Sequence, residues 1–256
     1  ESLRTRAGRV CALRQFSRRL AGRGVETFVP RGGLPQEKTR ARALSRAEVA
    51  ALVAVADAAR GPGGREWMAA EPGCMYRLMW SSGLRIGECR RLRWSDVDLA
   101  HGTVEVRGSK GGRSRTVWLA ADMASFLASY GDAPARALGA RPERVFPGAD
   151  PSRHLTKTNA ARRFRLLWAK VPGAGGGKRP TPHSLRHSHV VARMNAWAEA
   201  GEDLARMVPC LCASLGHSSP SETFYYYHQV EEAVGLAWRA DGALGPVVPE
   251  AVPYAG

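Results

Sequence analysis

The sequence has no apolar run approaching the ~18 residues needed to cross a bilayer, and its opening residues carry no signal-peptide pattern. Its five cysteines (Cys11, Cys74, Cys89, Cys210 and Cys212) form no CxxC pair and no zinc spacing. An odd number in a chain of this size reads as free thiols in a reducing compartment, packed as small hydrophobes. No cluster of carboxylates offers a two-metal site. Acidic residues are scarce: 23 Asp and Glu stand against 38 Lys and Arg, a formal charge of +15. The deficit is uneven. Residues 1–43 carry eleven basic groups to three acidic, residues 196–256 carry two to eight, and the stretch between carries twenty-five to twelve. Such asymmetry favours a polyanion as partner. Charge alone does not separate DNA from RNA or an anionic membrane, although nucleic acid is the better reading.

What is present is a helical pattern. With 256 residues, 44% of them hydrophobic, the chain has material for one large or two small domains. Leu3, Val10, Leu13, Phe16 and Leu20 recur at helical spacing among arginines, and Gly22 and Gly24 mark an end. The Pro-, Gly- and charge-rich stretch 30–43 reads as a basic linker. Ser45 with Glu48 forms a capping box that opens a helix through Ala59. Further helices are predicted over 71–82, briefly through Leu92, over 157–171, 184–200 and 203–214, and again after Glu222. The runs "TVEV" (103–106) and "RTVWL" (115–119) read as the strands of one hairpin around a glycine-bearing tip. The tail from Gly242 has no periodicity. The fold class is mainly α with a small antiparallel β-sheet (α+β).

Four segments place polar side chains where a purely structural reading does not want them. In "SSGLRIGECRRLRW", Arg85 stands just past the Gly83 helix break. In "RGSKGGRSRTVWL", Lys110 sits at the hairpin tip. In "TPHSLRHSHV", His183 and Arg186 are three apart at a helix start and share a face, whereas His187 and His189 point elsewhere. In "LGHSSPSETFYYYH", His217 follows a glycine and precedes three consecutive tyrosines. Adjacent helical residues point about 100° apart, so Tyr225, Tyr226 and Tyr227 cannot all face one target. Each segment alone has a bland explanation as a surface arginine, a turn lysine or an aromatic stripe. In this order they make a set for phosphoryl transfer. Two arginines can grip non-bridging phosphate oxygens, a lysine can protonate a leaving oxygen, and an assisted tyrosine can act as nucleophile. With no metal site in view, charge stabilisation falls to the cations.

These segments resemble the boxes of the tyrosine recombinases, the phage-integrase type of DNA strand-exchange enzymes, over roughly residues 44–232. "GLRIGECRRLRWSDVDL" is similar to the first arginine box, "GSKGGRSRTVWL" to the lysine hairpin, "TPHSLRHS" to the His-x-x-Arg box and "LGHSSPSETFYYYH" to the final His and Tyr. The family's nucleophile lies nine residues past the Gly-His histidine, which selects Tyr226. By resemblance, Tyr226 attacks the scissile phosphate to form a 3′-phosphotyrosine. Arg85 and Arg186 hold the phosphate, and Lys110 protonates the 5′-oxygen. His183 assists proton transfer at the tyrosine, His217 donates to the phosphate, and Glu88 supports the site from behind. Arg113, Arg115, Arg162, Arg163 and Arg165 are candidate DNA contacts. The resemblance implies no cofactor and no metal. It also implies a double-stranded DNA site as partner, self-association on DNA as a tetrameric synapse, no membrane, and a cytoplasmic, nucleoid-associated location.

The family's pattern also frames the domains. Residues 1–29 are expected to be the end of a helical core-binding domain, 30–43 the linker, 44–240 the catalytic domain and 241–256 a loose tail. One helix before the linker, and a first residue that is not Met, fit a fragment. Thirty residues separate Arg186 from His217, a longer interval than in many members and similar to a subgroup of mobile-element recombinases. Three rival readings stand beside recombination: a catalytically inactive DNA-binding relative, a type IB topoisomerase, and a basic helical RNA-binding domain.

Overall fold

The computed structural model describes residues 3–31, 42–61, 65–108, 114–174 and 178–217. The chain divides into two units, Glu1–Arg40 and Ala41–Gly256. In the first, α1 (Leu3–Ala21) carries Arg18 and Arg19 in its last turn, where cations complement the helix dipole. Gly24, at φ 78°, turns the chain, and Val25 N–H closes back on Leu20 O at 3.1 Å. The returning segment is held when Arg14 Nε donates to Pro30 O at 2.8 Å.

The second unit opens with α2 (Arg46–Asp57), whose capping box forms as expected: Ser45 Oγ accepts from Glu48 N at 3.1 Å and Glu48 Oε2 from Ser45 N at 2.9 Å. Helix α3 (Glu66–Ser82) begins five residues before the predicted start, and Pro72 lies inside it. The Pro72-Gly73 pair lies just inside the predicted start, and Gly73 is a packing residue. A Cβ there would lie 2.3 Å from Asp57 Oδ1, so glycine permits the α2–α3 approach in which Arg77 grips Asp57 through two bonds of 2.8 and 2.6 Å.

After the short α4 (Ile86–Cys89) and a 3₁₀ turn (Trp94–Asp96), three strands form an antiparallel sheet in the order β1 (Val97–Asp98), β2 (Thr103–Val106), β3 (Arg115–Trp118). The predicted hairpin is β2–β3, with Val104 opposite Val117 and Val106 opposite Arg115. The two-residue β1 was not anticipated. Nor was α5 (Ala121–Leu138), whose Gly131 and Pro134 are both buried inside the helix. Gly131 is small because Trp94 packs on it, with ring atoms 2.7 and 2.9 Å from where a Cβ would sit. Helices α6 (Lys157–Trp168), α7 (Pro182–Glu199) and α8 (Leu204–Leu215) follow near their predicted limits.

The principal core joins Leu52, Leu78, Met79, Leu84, Val104, Leu127, Phe146, Phe164 and Leu185, drawn from helices on either side of α3 and from the inner face of the sheet. A smaller cluster of Val190, Met194, Val208, Leu211 and Leu215 binds α7 to α8. The site described next lies where these clusters meet. Among the described residues, no helix is long and apolar enough to cross a membrane.

Candidate active site

The site is built on two left-handed glycines. Gly83, at φ 68°, ends α3 with its N–H on Met79 O. A Cβ there would come within 2.7 Å of His189 Cδ2 and Leu215 Cδ2, so both conformation and space require glycine. Gly216, at φ 65°, ends α8. His217 N–H reaches Cys212 O at 3.0 Å and Gly216 N–H reaches Ala213 O at 3.0 Å, the bond pair of a Schellman closure. The Gly-His dipeptide is thus a helix stop that delivers a histidine one residue beyond it.

A helix C-terminus leaves carbonyls unbonded and carries partial negative charge. Here three arginines supply the donors. Arg186, in the second turn of α7 and fully buried, gives Nη1 to Gly83 O at 2.8 Å and Nη2 to Leu215 O at 2.9 Å. Arg85, at the N-cap of α4, gives Nη1 to Leu215 O at 3.3 Å and Nη2 to Gly216 O at 3.4 Å. Arg115, from the start of β3, gives Nε to Ser214 O at 2.6 Å. The last carbonyls of α8 therefore draw Arg85 and Arg186 onto one oxygen, Leu215 O.

His217 completes the corner. Its Nε2 is 2.8 Å from Arg186 Nη2. A guanidinium only donates, so Nε2 is the acceptor and a neutral His217 carries its proton on Nδ1. His183, one turn before Arg186, has an exposed residue surface, but its ring packs edge-on against His187, with centroids 4.5 Å apart at 77°. Desolvation first, then the charges of Arg186 and Arg85, push the His183 pKa below the usual histidine range. A neutral imidazole beside two guanidinia is suited to accept a proton. Of the two histidines expected to point elsewhere, His187 instead packs beside the corner against His183, whereas His189 turns to the α3 backbone. Burial lowers them to about 3 and about 4, and His189 Nδ1 bonds Trp80 O at 2.8 Å.

Glu88 lies behind the arginines. Its Oε1 accepts from Arg85 Nη1 and Arg115 Nη1, both at 3.0 Å, and its Oε2 from Arg115 Nη2 and Arg85 N, both at 2.9 Å. Burial alone would raise its pKa, but the Arg115 and Arg85 bonds outweigh it and hold the carboxyl at about 2.

Arg85, Glu88, His183, Arg186 and His217 are thus brought together. Lys110, Arg113 and Tyr226 lie outside the described residues. Of the remaining candidate DNA contacts, Arg162 and Arg165 are exposed on α6. Arg163 instead turns inward to an ion pair with the fully buried Glu71, and Arg115 turns inward to Glu88. Both arginines have protein partners of their own. Sequence spacing recorded their type but not their direction, and the one available signal was a glutamate within the helix each packs against. Among the described residues no group of three or more His, Cys, Asp or Glu is placed to hold a metal ion.

Two guanidinia and a histidine gather at one helix end, a cationic corner whose donor chemistry suits an oxyanion. The model of the phage integrase family matches residues 42–233, and the chain belongs to that family. It is 32% identical over 225 residues to y4rE of Sinorhizobium fredii, which carries an integrase/recombinase name; the match covers 87% of this chain and 72% of y4rE. It is 32% identical over 238 residues to tyrosine recombinase XerD of Rhizobium meliloti, covering 89% of this chain and 71% of XerD. In other curated relatives the matched segment spans about half of their length (54% and 46%). The fold is that of the Tn1549 transposon integrase, solved in complex with circular intermediate DNA: TM-score 0.64, 17% identity, covering 94% of this chain and 79% of that one.

Proposed function

We propose that this chain is the catalytic part of a site-specific DNA recombinase that cuts and rejoins double-stranded DNA through a tyrosine-linked intermediate. The observation that carries this reading is the convergence of Arg85, Arg186 and His217 on the end of α8, with a neutral His183 beside them. In the proposed reaction Tyr226 Oη attacks the scissile phosphorus. A tyrosine O–P bond forms at the 3′ side as the bond to the 5′-oxygen breaks. The phenol proton passes toward His183, and Lys110 supplies a proton to the departing 5′-oxygen. Arg85 and Arg186 meet the charge that develops on the non-bridging oxygens, and His217 adds a hydrogen bond. One phosphodiester becomes another, so a 5′-hydroxyl can reverse the step without an energy source.

The buried state of Arg186 constrains how substrate arrives. His217 occupies Arg186 Nη2, so a phosphate oxygen reaches that donor only as the imidazole swings aside, and Nε2 donates to the phosphate once the ring has taken up a proton from solvent or moved its own from Nδ1. A self-associated synapse on DNA, in a cytoplasmic, nucleoid-associated setting, is the arrangement in which such a domain works. The amino-terminal unit is proposed to be the end of a core-binding domain.

The test is a nicked duplex carrying the recombination site, from which cleavage is irreversible. The wild-type protein is expected to form an SDS-resistant covalent adduct in EDTA. Tyr226→Phe should form none, whereas Tyr225→Phe and Tyr227→Phe retain it. An adduct in Tyr226→Phe overturns the nucleophile. Robust relaxation of supercoiled plasmid lacking any site would favour a topoisomerase.

A further inference from the structure

Arg115 has the chemistry of a DNA contact, but the geometry gives it other work. Its side chain is 10% exposed. Nη1 and Nη2 close a bidentate pair on Glu88 at 3.0 and 2.9 Å, and Nε donates to Ser214 O at 2.6 Å. The guanidinium also forms the floor under Gly216. A Cβ on Gly216 would lie 3.1 Å from Arg115 Nη1 and 3.2 Å from its Cδ and Cζ. A planar fork is needed for this, because a lysine ammonium cannot bridge both carboxylate oxygens while bonding Ser214 O.

We infer that Arg115 is a positioning residue for strand cleavage: it fixes Glu88, which orients Arg85, and it moulds the Ser214–Gly216 turn that presents His217. The inference rests on the recombinase reading for what the positioned groups do, but the positioning itself exists in the free protein. Three elements far apart in sequence meet on this one side chain. Arg115 leads β3 opposite Val106, Glu88 closes the first turn of α4, and Ser214 lies in the last turn of α8. Glu88 thereby bonds one arginine aimed at the reactive corner and one aimed at its scaffold. The order of dependence runs from Arg115 to Glu88 to Arg85 along one branch, and from Arg115 to Gly216 to His217 along the other.

The experiment has one arm without DNA and one with it. In the free protein, carbon–proton NMR of the histidine rings reads His217 directly, with the exposed His101 at the far end of β2 as internal control. Arg115→Gln and Arg115→Lys should both shift or broaden the His217 signal and leave His101 in place. Gly216→Ala, whose Cβ would press on the Arg115 guanidinium and strain the left-handed turn above it, should move His217 in the same way and serves if Arg115→Gln does not fold. An unmoved His217 signal in every folded variant overturns the inference, whatever the DNA results. In the DNA arm, Arg115→Gln should slow adduct formation at saturating DNA by about 10–100-fold, the size of loss when the orienting partner of a functional group is removed. The salt dependence of binding should not change. A double variant with Glu88→Gln should be little slower than the slower single variant. Should Arg115→Gln instead flatten the log K–log salt slope by about 0.9 and cleave normally at saturation, Arg115 is a phosphate contact and the inference fails. If the wild-type protein forms no adduct on any site, the recombinase reading fails, and the His217 signal still decides the role of Arg115.

Discussion

Glu71 and Glu88 are both buried, both belong to the second unit, and both face arginine, yet their protons are held in opposite ways. Glu71 receives one guanidinium group from Arg163 and one backbone N–H from Gly148 at 2.8 Å. Desolvation wins there, and its pKa is raised. Glu88 receives three guanidinium donations from two arginines and the backbone N–H of Arg85, and desolvation loses. Glu88 has more donors and is the less deeply buried of the two, and both differences favour its charged form. The contrast follows location. Glu71 joins α3 to α6 and the Gly148 turn, away from Arg85. Glu88 stands behind Arg85, where only a fixed negative charge can orient a cation.

The contrast is broken most severely at Glu88. Glu88→Gln leaves Arg85 and Arg115 facing an amide that cannot compensate them. Removing one side of such a buried network costs about 3–5 kcal/mol, read as a lower denaturation midpoint, and adduct formation should fall by about 10²-fold or more. Glu71→Gln keeps an acceptor for Gly148 and should cost about 1 kcal/mol, with adduct formation unchanged. Equal losses of cleavage in the two variants would remove the distinction.

A pH series sharpens it through opposite slopes. Glu88 is depressed in the folded state, so its contribution is fully present above its ordinary value of 4.5 and is lost as pH falls toward about 2. Each unit of that interval is worth about 1.4 kcal/mol. Glu71 is raised, so its folded form holds a proton longer than its unfolded form, and its contribution weakens as pH rises through the folded value. The neutral histidines His183, His187 and His189 add acid sensitivity that begins near 6.5, because the unfolded chain takes up their protons first. Urea midpoints between pH 7 and 3 should therefore drop on acidification. The drop should be shallower below pH 4.5 in Glu88→Gln and steeper in Glu71→Gln.

The smallest effect separates inward from outward arginines on α6. Arg162→Ala and Arg165→Ala should each reduce the log K–log salt slope by about 0.9 if the side chain meets a phosphate. Arg163→Ala, paired with Glu71, should leave the slope alone and lower stability instead. A filter-binding titration at several salt concentrations distinguishes the three.

The order of the four boxes and the capping box at Ser45 were legible because each is a local signal: a type of residue at a fixed spacing. The Gly-His pair was legible for the same reason, since a left-handed helix stop needs its glycine. What was not legible depends on partners far away in sequence. Helix α5 was missed because Gly131 and Pro134 read as breakers, and only Trp94 packing on Gly131 explains the glycine. Strand β1, with two residues, has no period to detect. The start of α3 was hidden by Pro72 and by a Gly73 whose reason is Asp57. Arg115 and Arg163 looked like candidate contacts because composition shows a positive charge but not the carboxylate across the fold that it meets.

The stop at Gly83 also sets a tolerance for length. Its carbonyl receives Arg186 Nη1, and six positions earlier on the same helix Arg77 is clamped to Asp57. Between those two fixed points α3 acts as a gauge. One residue inserted or deleted there would turn Gly83 by about 100° and move it about 1.5 Å along the axis, taking the acceptor away from Arg186 and carrying Arg85 with it. The count from Arg77 to Gly83 is therefore fixed by contacts at both of its ends.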